Sequence, residues 1–175
     1  MIKKLAKFIQ GYKKETILTP IFVTLEVVME VIIPLLMAKI IDVGIQNGDV
    51  RYILKIGILL IISAILSLTF GMLSGRFAAK ASAGYAKNMR KSMFYKIQDL
   101  AFENIDKFST SSLVTRMTTD VTNVQMAFQM IIRILVRAPI MMIFALTMVF
   151  TIDAKLSAIF FVAIPFLGVI LFYIA

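Results

Sequence analysis

The sequence contains no cysteine and no histidine among its 175 residues. The first absence excludes disulfides and cysteine metal sites, and the second removes the commonest acid–base side chain and metal ligand. Acidic residues are scarce as well, with 10 Asp and Glu against 19 Lys and Arg. A Gly-x-x-x-x-Gly-Lys-Ser/Thr phosphate loop is also missing, which excludes nucleotide hydrolysis by this chain alone.

Apolar residues, by contrast, are abundant. They make up 60% of the chain, and the mean hydropathy is +0.91. Soluble domains contain about 45–50% apolar residues, so the composition indicates a protein embedded in a bilayer. The net charge of +9 fits either nucleic-acid binding or a membrane protein with a basic cytoplasmic side. The hydrophobicity favours the membrane, and no nucleic-acid partner is expected.

Four apolar stretches predict an all-α integral membrane fold with four transmembrane helices, at about 17–38, 53–75, 124–150 and 156–175. Each is long enough to cross the hydrocarbon core as a helix. Pro139 is expected to kink the third span without ending it, because the apolar run continues to Phe150. Between the first two spans, turn-forming residues predict a short loop: Gly44, Asn47, Gly48 and Asp49.

Residues 1–15 predict an elbow helix lying in the membrane interface. Apolar side chains fall on one helical face and lysines largely on the other, as in interfacial helices. The apolar face consists of Ile2, Leu5, Phe8 and Ile9. A frayed basic tail is the alternative interpretation.

The second span is followed by a helical pattern that leaves the membrane. Apolar residues recur every four positions, at Phe77, Ala81, Tyr85, Met89, Met93 and Ile97. The pattern predicts a long hairpin at about 76–123, reversing within 102–112, with N-cap candidates from Ser109 to Ser112. Such a hairpin is either a lever that passes motion into the membrane or a passive docking arm.

The distribution of positive charge predicts the orientation. Five lysines lie in the N-terminal arm and eight Lys or Arg lie between Arg76 and Arg116, whereas the other loops carry few. The positive-inside rule therefore places the N-terminus and the hairpin in the cytoplasm.

Two carboxylates interrupt the first span, Glu26 and Glu30, one helical turn apart. A charge in hydrocarbon is costly, so both are expected to face a cavity or a partner. One hypothesis is a substrate cavity for cationic, lipophilic compounds that also includes Arg133 and Arg137. The other is structural pairing of the carboxylates with those arginines. In the second span, Gly71, Gly75, Ala79 and Ala83 predict a close helix contact.

The residues from Phe108 to Val121, which read Phe-Ser-Thr-Ser-Ser-Leu-Val-Thr-Arg-Met-Thr-Thr-Asp-Val, resemble the first intracellular loop of ABC exporters. The Thr-Arg pair and the Asp-Val pair have the family's spacing. The segment Arg133 to Pro139 is similar to that of the multidrug members. Many members have glycine where Ser112 stands. The Ser-Ser-Leu version of this chain is similar to that of the heterodimeric bacterial multidrug exporters, which favours a non-identical partner half.

The resemblance implies a fold and a mechanism. Residues 16–175 would be an incomplete type-1 transmembrane domain of a multidrug or lipid-type exporter in the bacterial cytoplasmic membrane, and the chain a piece of a longer protein. A separate nucleotide-binding domain would bind ATP and Mg²⁺, and the substrate would be a lipophilic small molecule. The coupling residues that dock on that domain would be Phe102, Glu103, Ile105, Asp106, Phe108 and Ser109.

Two alternatives stay open at this point. The aromatic residues of the hairpin tip would otherwise pack inside the hairpin itself. The whole chain would otherwise be a membrane anchor or receptor that transports nothing and whose hairpin only docks a partner.

Overall fold

The computed structural model describes residues 6–99 and 110–152, together with positions 166–168, 170 and 173. Within these residues the chain is helical and has no strand. Three helices are long and apolar enough to cross a membrane, at Lys13–Ile45, Val50–Gln98 and Ser111–Phe150. The all-α membrane fold is thus confirmed with three spans. Most of the fourth predicted span, 156–175, lies outside the described residues.

The first long helix, α1, covers Lys13–Lys39 and contains Pro20 and Pro34 without ending at either. It begins four residues before the apolar run at Ile17. A short 3₁₀ turn, Lys7–Ile9, precedes it, and Gly11 with φ of 87° separates the two. This left-handed backbone conformation is readily adopted by glycine. Residues 6–15 therefore form an arm that bends at Gly11. Residues 1–5 of the predicted elbow helix lie outside the described part.

The connection between the first two spans is more helical than the turn residues predict. A π-helical segment, Ile40–Ile45, extends α1, and the reversal follows at Gly48 with φ of 66°. Asp49 caps the next helix by accepting a hydrogen bond of 3.0 Å from the Tyr52 amide. Gly44 is not a turn residue. It is buried where an added Cβ would lie 2.6 Å from Cγ1 of Ile53, so it permits close approach of two helices.

The second long helix, α2, covers Val50–Gln98 without a break and contains 49 residues. At 1.5 Å per residue it is about 73 Å long, more than twice the hydrocarbon thickness. The part beyond Gly75 confirms that the helix continues past its apolar run. The predicted small-residue stripe is only half right, because Gly71 and Gly75 meet neighbouring helices whereas Ala79 and Ala83 are exposed.

A second rod covers residues 110–152. It consists of helix α3, Thr110–Thr115, a π-helical segment, Arg116–Asp120, and helix α4, Val121–Ile152. Pro139 lies inside α4, so the helix does pass through it. Ser111 and Ser112 lie inside the first turn of α3 and are not its N-cap, while Ser109 is outside the described residues.

The helices pack as a bundle in which α1 lies along α2 and α4 contacts both. One buried cluster joins α2 to the start of α4 beyond Gly75, where α2 has left its apolar run. It contains Tyr85, Ala86, Met89 and Val121, with Phe8, Ile9, Met93 and Phe128 packed against it. A second cluster of Ala78, Ala81 and Ile132 continues toward the membrane. Below we call the first of these the water-side cluster.

Candidate functional site

Three charged side chains meet inside the apolar stretches of α1 and α4. Arg137 Nη1 donates to Glu26 Oε1 at 2.9 Å, and Arg137 Nη2 donates to both oxygens of Glu30 at 2.7 and 2.8 Å. One guanidinium therefore binds two carboxylates that the sequence places on one helical face. We call Glu26, Glu30 and Arg137 the charged cluster.

Helix α2 completes the surroundings of Glu26. Ser74 Oγ lies 3.3 Å from Glu26 Oε2 and 2.9 Å from the Gly71 carbonyl oxygen, so its single proton can donate to either acceptor. The Glu26 carboxylate lies over Gly71. An added Cβ at Gly71 would be 3.1 Å from Glu26 Oε1, which is tighter than nine in ten real Cβ contacts. Glu26 is buried, with 7% of its surface exposed. The charged cluster therefore joins three helices, and a side chain at position 71 would disturb it.

The geometry favours the structural interpretation of the two carboxylates. Both are paired with Arg137, which removes much of the cost of holding them in hydrocarbon. Arg133 is not part of the pairing, and it makes no hydrogen bond or ion pair with the described residues. Its guanidinium lies beside α2, with Nη1 3.7 Å from a Cβ placed on Gly75. A role of Glu26, Glu30, Arg133 and Arg137 in a substrate cavity remains a prediction.

The water-side cluster is built on aromatic contacts. Tyr85 of α2 stacks on Phe128 of α4, with ring centroids 4.4 Å apart and planes 8° from parallel, and Phe8 packs edge-on at 6.1 Å. Asn88 Nδ2 donates to the carbonyls of Phe8 and Gln10 at 2.8 and 2.7 Å. These contacts attach the N-terminal arm to α2. The Tyr85 hydroxyl is partly buried, and this burial raises its pKa.

Arg90 braces the π-helical segment of the second rod. Its Nε donates to the Met117 carbonyl at 3.3 Å, and its Nη2 donates to Thr122 Oγ1 at 3.2 Å. A guanidinium can reach both acceptors because its donors form a fixed fork. Arg90 therefore ties α2 to the second rod where the backbone pattern of that rod changes.

Most of this chain matches one known family of proteins. Residues 16–175 match the model of the ABC transporter transmembrane region. The chain belongs to this family. It is 34% identical over 99% of its length to an uncharacterised ABC transporter ATP-binding protein of Bacillus subtilis, and 24% identical over 99% to one of Mycobacterium tuberculosis. It is also 28% identical over 96% to an ATP-dependent lipid A-core flippase of Pseudoalteromonas translucida.

This chain spans only about 30% of the length of these relatives. Within that part, residues 16–175 match the transmembrane region of the family. The predicted coupling residues, Phe102, Glu103, Ile105, Asp106, Phe108 and Ser109, lie outside the described residues. The described helices end just before this segment at Gln98 and resume just after it at Thr110.

Sequence reasoning missed several contacts that shape the ABC transmembrane fold here. The tie from Asn88 to the N-terminal arm, the Arg90 brace and the pair between Glu15 and Lys80 all join residues distant in sequence. Only the pair between Glu15 and Lys80 had a signal in the sequence, because Glu15 is the sole acidic residue in the basic N-terminal arm. The Lys80 ammonium donates to the Glu15 carboxylate at 2.7 Å and lowers the pKa of that carboxyl.

Proposed function

We propose that this chain forms part of the transmembrane half of an ATP-driven exporter of multidrug or lipid type. The observation that carries the proposal is the length of two paired helices. Helix α2 and the second rod both continue well past their apolar runs, and the water-side cluster and Arg90 hold them together there. A pair of rods braced in this way moves as a unit, as a lever must.

In this proposal, force enters at the hairpin tip and leaves in the membrane. A nucleotide-binding domain, which binds ATP and Mg²⁺, docks on the coupling residues between α2 and α3. Closure of two such domains moves the braced rods. The charged cluster passes this motion from α4 to α1, because the Arg137 guanidinium makes three hydrogen bonds to Glu26 and Glu30.

The partners follow from the same proposal. Several relatives are named as ABC transporter ATP-binding proteins, which supports a nucleotide-binding domain as the source of the driving force. A second, non-identical transporter half closes the cavity. In this proposal the arm and the hairpin lie in the cytoplasm of a bacterial cell and the spans lie in its cytoplasmic membrane. The basic residues of the arm and hairpin support this orientation.

The test is transport by the assembled exporter in inside-out vesicles. We expect Mg-ATP to drive uptake of a lipophilic dye or a fluorescent phospholipid. The variant Phe108→Asp should stop uptake while ATP hydrolysis persists. A charge in place of this apolar side chain weakens docking of the hairpin tip on the nucleotide-binding domain. The matched change Val50→Asp, at an exposed position of the opposite turn, should leave uptake unchanged.

A different result would favour the anchor or receptor alternative. That alternative expects the hairpin to bind its partner with no ATP-dependent uptake of any probe. It also expects Phe108→Asp to reduce binding without any effect on a transport rate.

A further inference from the structure

A cavity of about 850 Å³ lies where the N-terminal arm meets α2, and it is open to the surroundings. Small-molecule sites have volumes of about 300–1,000 Å³. We call this cavity the arm pocket. Its lining includes three lysines, two aromatic rings and one carboxylate: Lys7, Phe8, Lys91, Tyr95, Lys96 and Asp99.

Positive charge exceeds negative charge in the arm pocket. Within residues 6–99 and 110–152, none of the three lysines forms an ion pair, with Asp99 or with any other carboxylate. Lys91 Nζ lies 5.8 Å from the centroid of the Tyr95 ring, so a cation–π contact restrains one of these ammonium groups. Several unpaired lysines around one cavity favour an anionic ligand, and lysine is a common ligand of phosphate.

The junction that forms the pocket is held together before any ligand binds. Asn88 Nδ2 donates to the Phe8 and Gln10 carbonyls at 2.8 and 2.7 Å, and the Phe8 ring packs edge-on against Tyr85. Lys7 of the arm and Lys91 of α2 are therefore already brought to one cavity. Binding between them does not have to order the arm first, which lowers its entropic cost.

The lysines of α2 lie beyond the lipid headgroups. Glu15, two residues before the apolar run of α1 begins at Ile17, pairs with Lys80, so Lys80 marks the membrane edge on α2. Lys91 and Lys96 follow Lys80 by 11 and 16 residues. These separations are about 16 and 24 Å along a helix, whereas the headgroup layer is only about 5–8 Å thick on each side. The position therefore favours a phosphate dissolved in water over the phosphate of a bilayer lipid.

The aromatic rings favour a ligand with a planar group. Tyr95 is 56% exposed although it lies well beyond the apolar run of α2, and Phe8 also lines the pocket. Aromatic side chains contribute large apolar contact area and stack with other rings. Phosphate and a planar ring occur together in nucleotides.

We propose that the arm pocket binds a soluble phosphorylated compound with a planar ring, of the nucleotide class. The phosphates bind the lysines, and the ring packs against Tyr95. The ligand then connects the arm to α2 on the water side of the membrane. This binding requires neither ATP hydrolysis nor transport, so it does not rest on the proposed exporter function.

Binding to the full chain in phosphatidylcholine nanodiscs tests the proposal. The chain has no Gly-x-x-x-x-Gly-Lys-Ser/Thr loop that would bind nucleotides elsewhere. The probes are ADP, adenosine and pyrophosphate. We expect ADP to bind about tenfold more tightly than adenosine, the change that about 1.4 kcal/mol produces. ADP should also bind more tightly than pyrophosphate, which lacks the ring, and added salt should reduce its advantage over adenosine by screening the charges.

Variants at exposed positions locate the binding. The double variant Lys91→Gln with Lys96→Gln should remove the tenfold advantage of ADP over adenosine. The matched control, Lys39→Gln with Lys55→Gln, removes two exposed lysines near the opposite turn and should change nothing. Tyr95→Ala should reduce ADP binding to the level of pyrophosphate. Asp99→Asn removes the carboxylate of the pocket and should tighten ADP binding.

Several results would overturn the proposal. They are equal binding of ADP and adenosine, an ADP advantage that survives the loss of Lys91 and Lys96, an equal loss in the control variant, or no effect of Tyr95→Ala. The source of the phosphate is tested with phosphatidylinositol 4-phosphate added to the nanodiscs. If this lipid displaces ADP, the ligand is a headgroup and the soluble assignment is wrong. A failure of ATP-driven uptake would contradict the exporter proposal alone.

Discussion

The charged cluster and the water-side cluster each join α4 to a neighbouring helix, and they do so by opposite chemistry. In the apolar stretches, α1 and α4 meet through Glu26, Glu30 and Arg137. Beyond Gly75, where the apolar run of α2 ends, α2 and α4 meet through stacked rings, Tyr85 on Phe128. The difference follows from the solvent. Burying apolar surface stabilises contacts in water but gives little between helices in lipid, where polar contacts and small residues take over.

The comparison leads to a general expectation for each region. Contacts at membrane level should depend on the pairing of charged side chains and should tolerate changes in the size of apolar side chains. Water-side contacts should depend on apolar volume and tolerate loss of a polar group. Substitutions that break one region and leave the other intact can test this division.

The largest effect is expected from Arg137→Gln. This change leaves Glu26 and Glu30 without their cation inside the membrane. Removing one partner of a buried pair costs about 3–5 kcal/mol. The loss should appear as a lower unfolding temperature in detergent. The triple variant that adds Glu26→Gln and Glu30→Gln should recover much of the loss, because no uncompensated charge remains. A stable single variant would show that the pairing is dispensable.

The second-largest loss of stability is expected from Tyr85→Ala in the water-side cluster. Deleting a buried aromatic ring that stacks on Phe128 should cost about 3 kcal/mol, from lost apolar burial and the cavity left behind. Tyr85→Phe keeps the ring and serves as the control, with a cost well below that of Tyr85→Ala. Equal costs for the two variants would mean that the hydroxyl, and not the ring, holds the rods together.

A moderate effect is expected from Gly84→Ala. An added Cβ would overlap the ring of Tyr12, so the N-terminal arm must move. Overpacking of this kind costs about 1–3 kcal/mol. The control is Gly57→Ala, where no atom lies within 4 Å and a helix gains from losing glycine. Thermal unfolding of both variants gives the comparison. Equal shifts in the same direction would show that Tyr12 does not pack on α2.

The smallest effect is expected from Lys80→Gln, which removes the partner of Glu15. Lys80 is 63% exposed, and exposed ion pairs contribute little. Because pairing lowers the pKa of Glu15, its contribution exists at neutral pH and is lost as the pH falls through that lowered value. The unfolding temperature of wild type and variant should therefore differ only slightly at pH 7 and converge in acid. Divergence in acid would contradict this pairing.

The sequence predicts the elements of this fold well and their contacts less well. Apolar periodicity indicates both rods and the passage of α4 through Pro139, since that pattern is local and the helix follows it. It does not indicate the two π-helical segments, and it does not indicate that Arg90 of α2 donates to the Met117 carbonyl in the second of them. Similarly, spacing places Arg133 and Arg137 on one face, but only packing against α1 decides which of them meets the glutamates.

The central claim is that α2 and the second rod leave the membrane together and continue into the cytoplasm. The chain has no cysteine, so single cysteines can be introduced at Lys87 and Thr119, exposed positions on the two rods, and at Leu68 within the apolar run. A charged, membrane-impermeant thiol reagent should label positions 87 and 119 in inside-out vesicles, but not in intact cells, and should not label position 68. Protection of positions 87 and 119 from the cytoplasmic side, or their labelling from outside, would contradict the account.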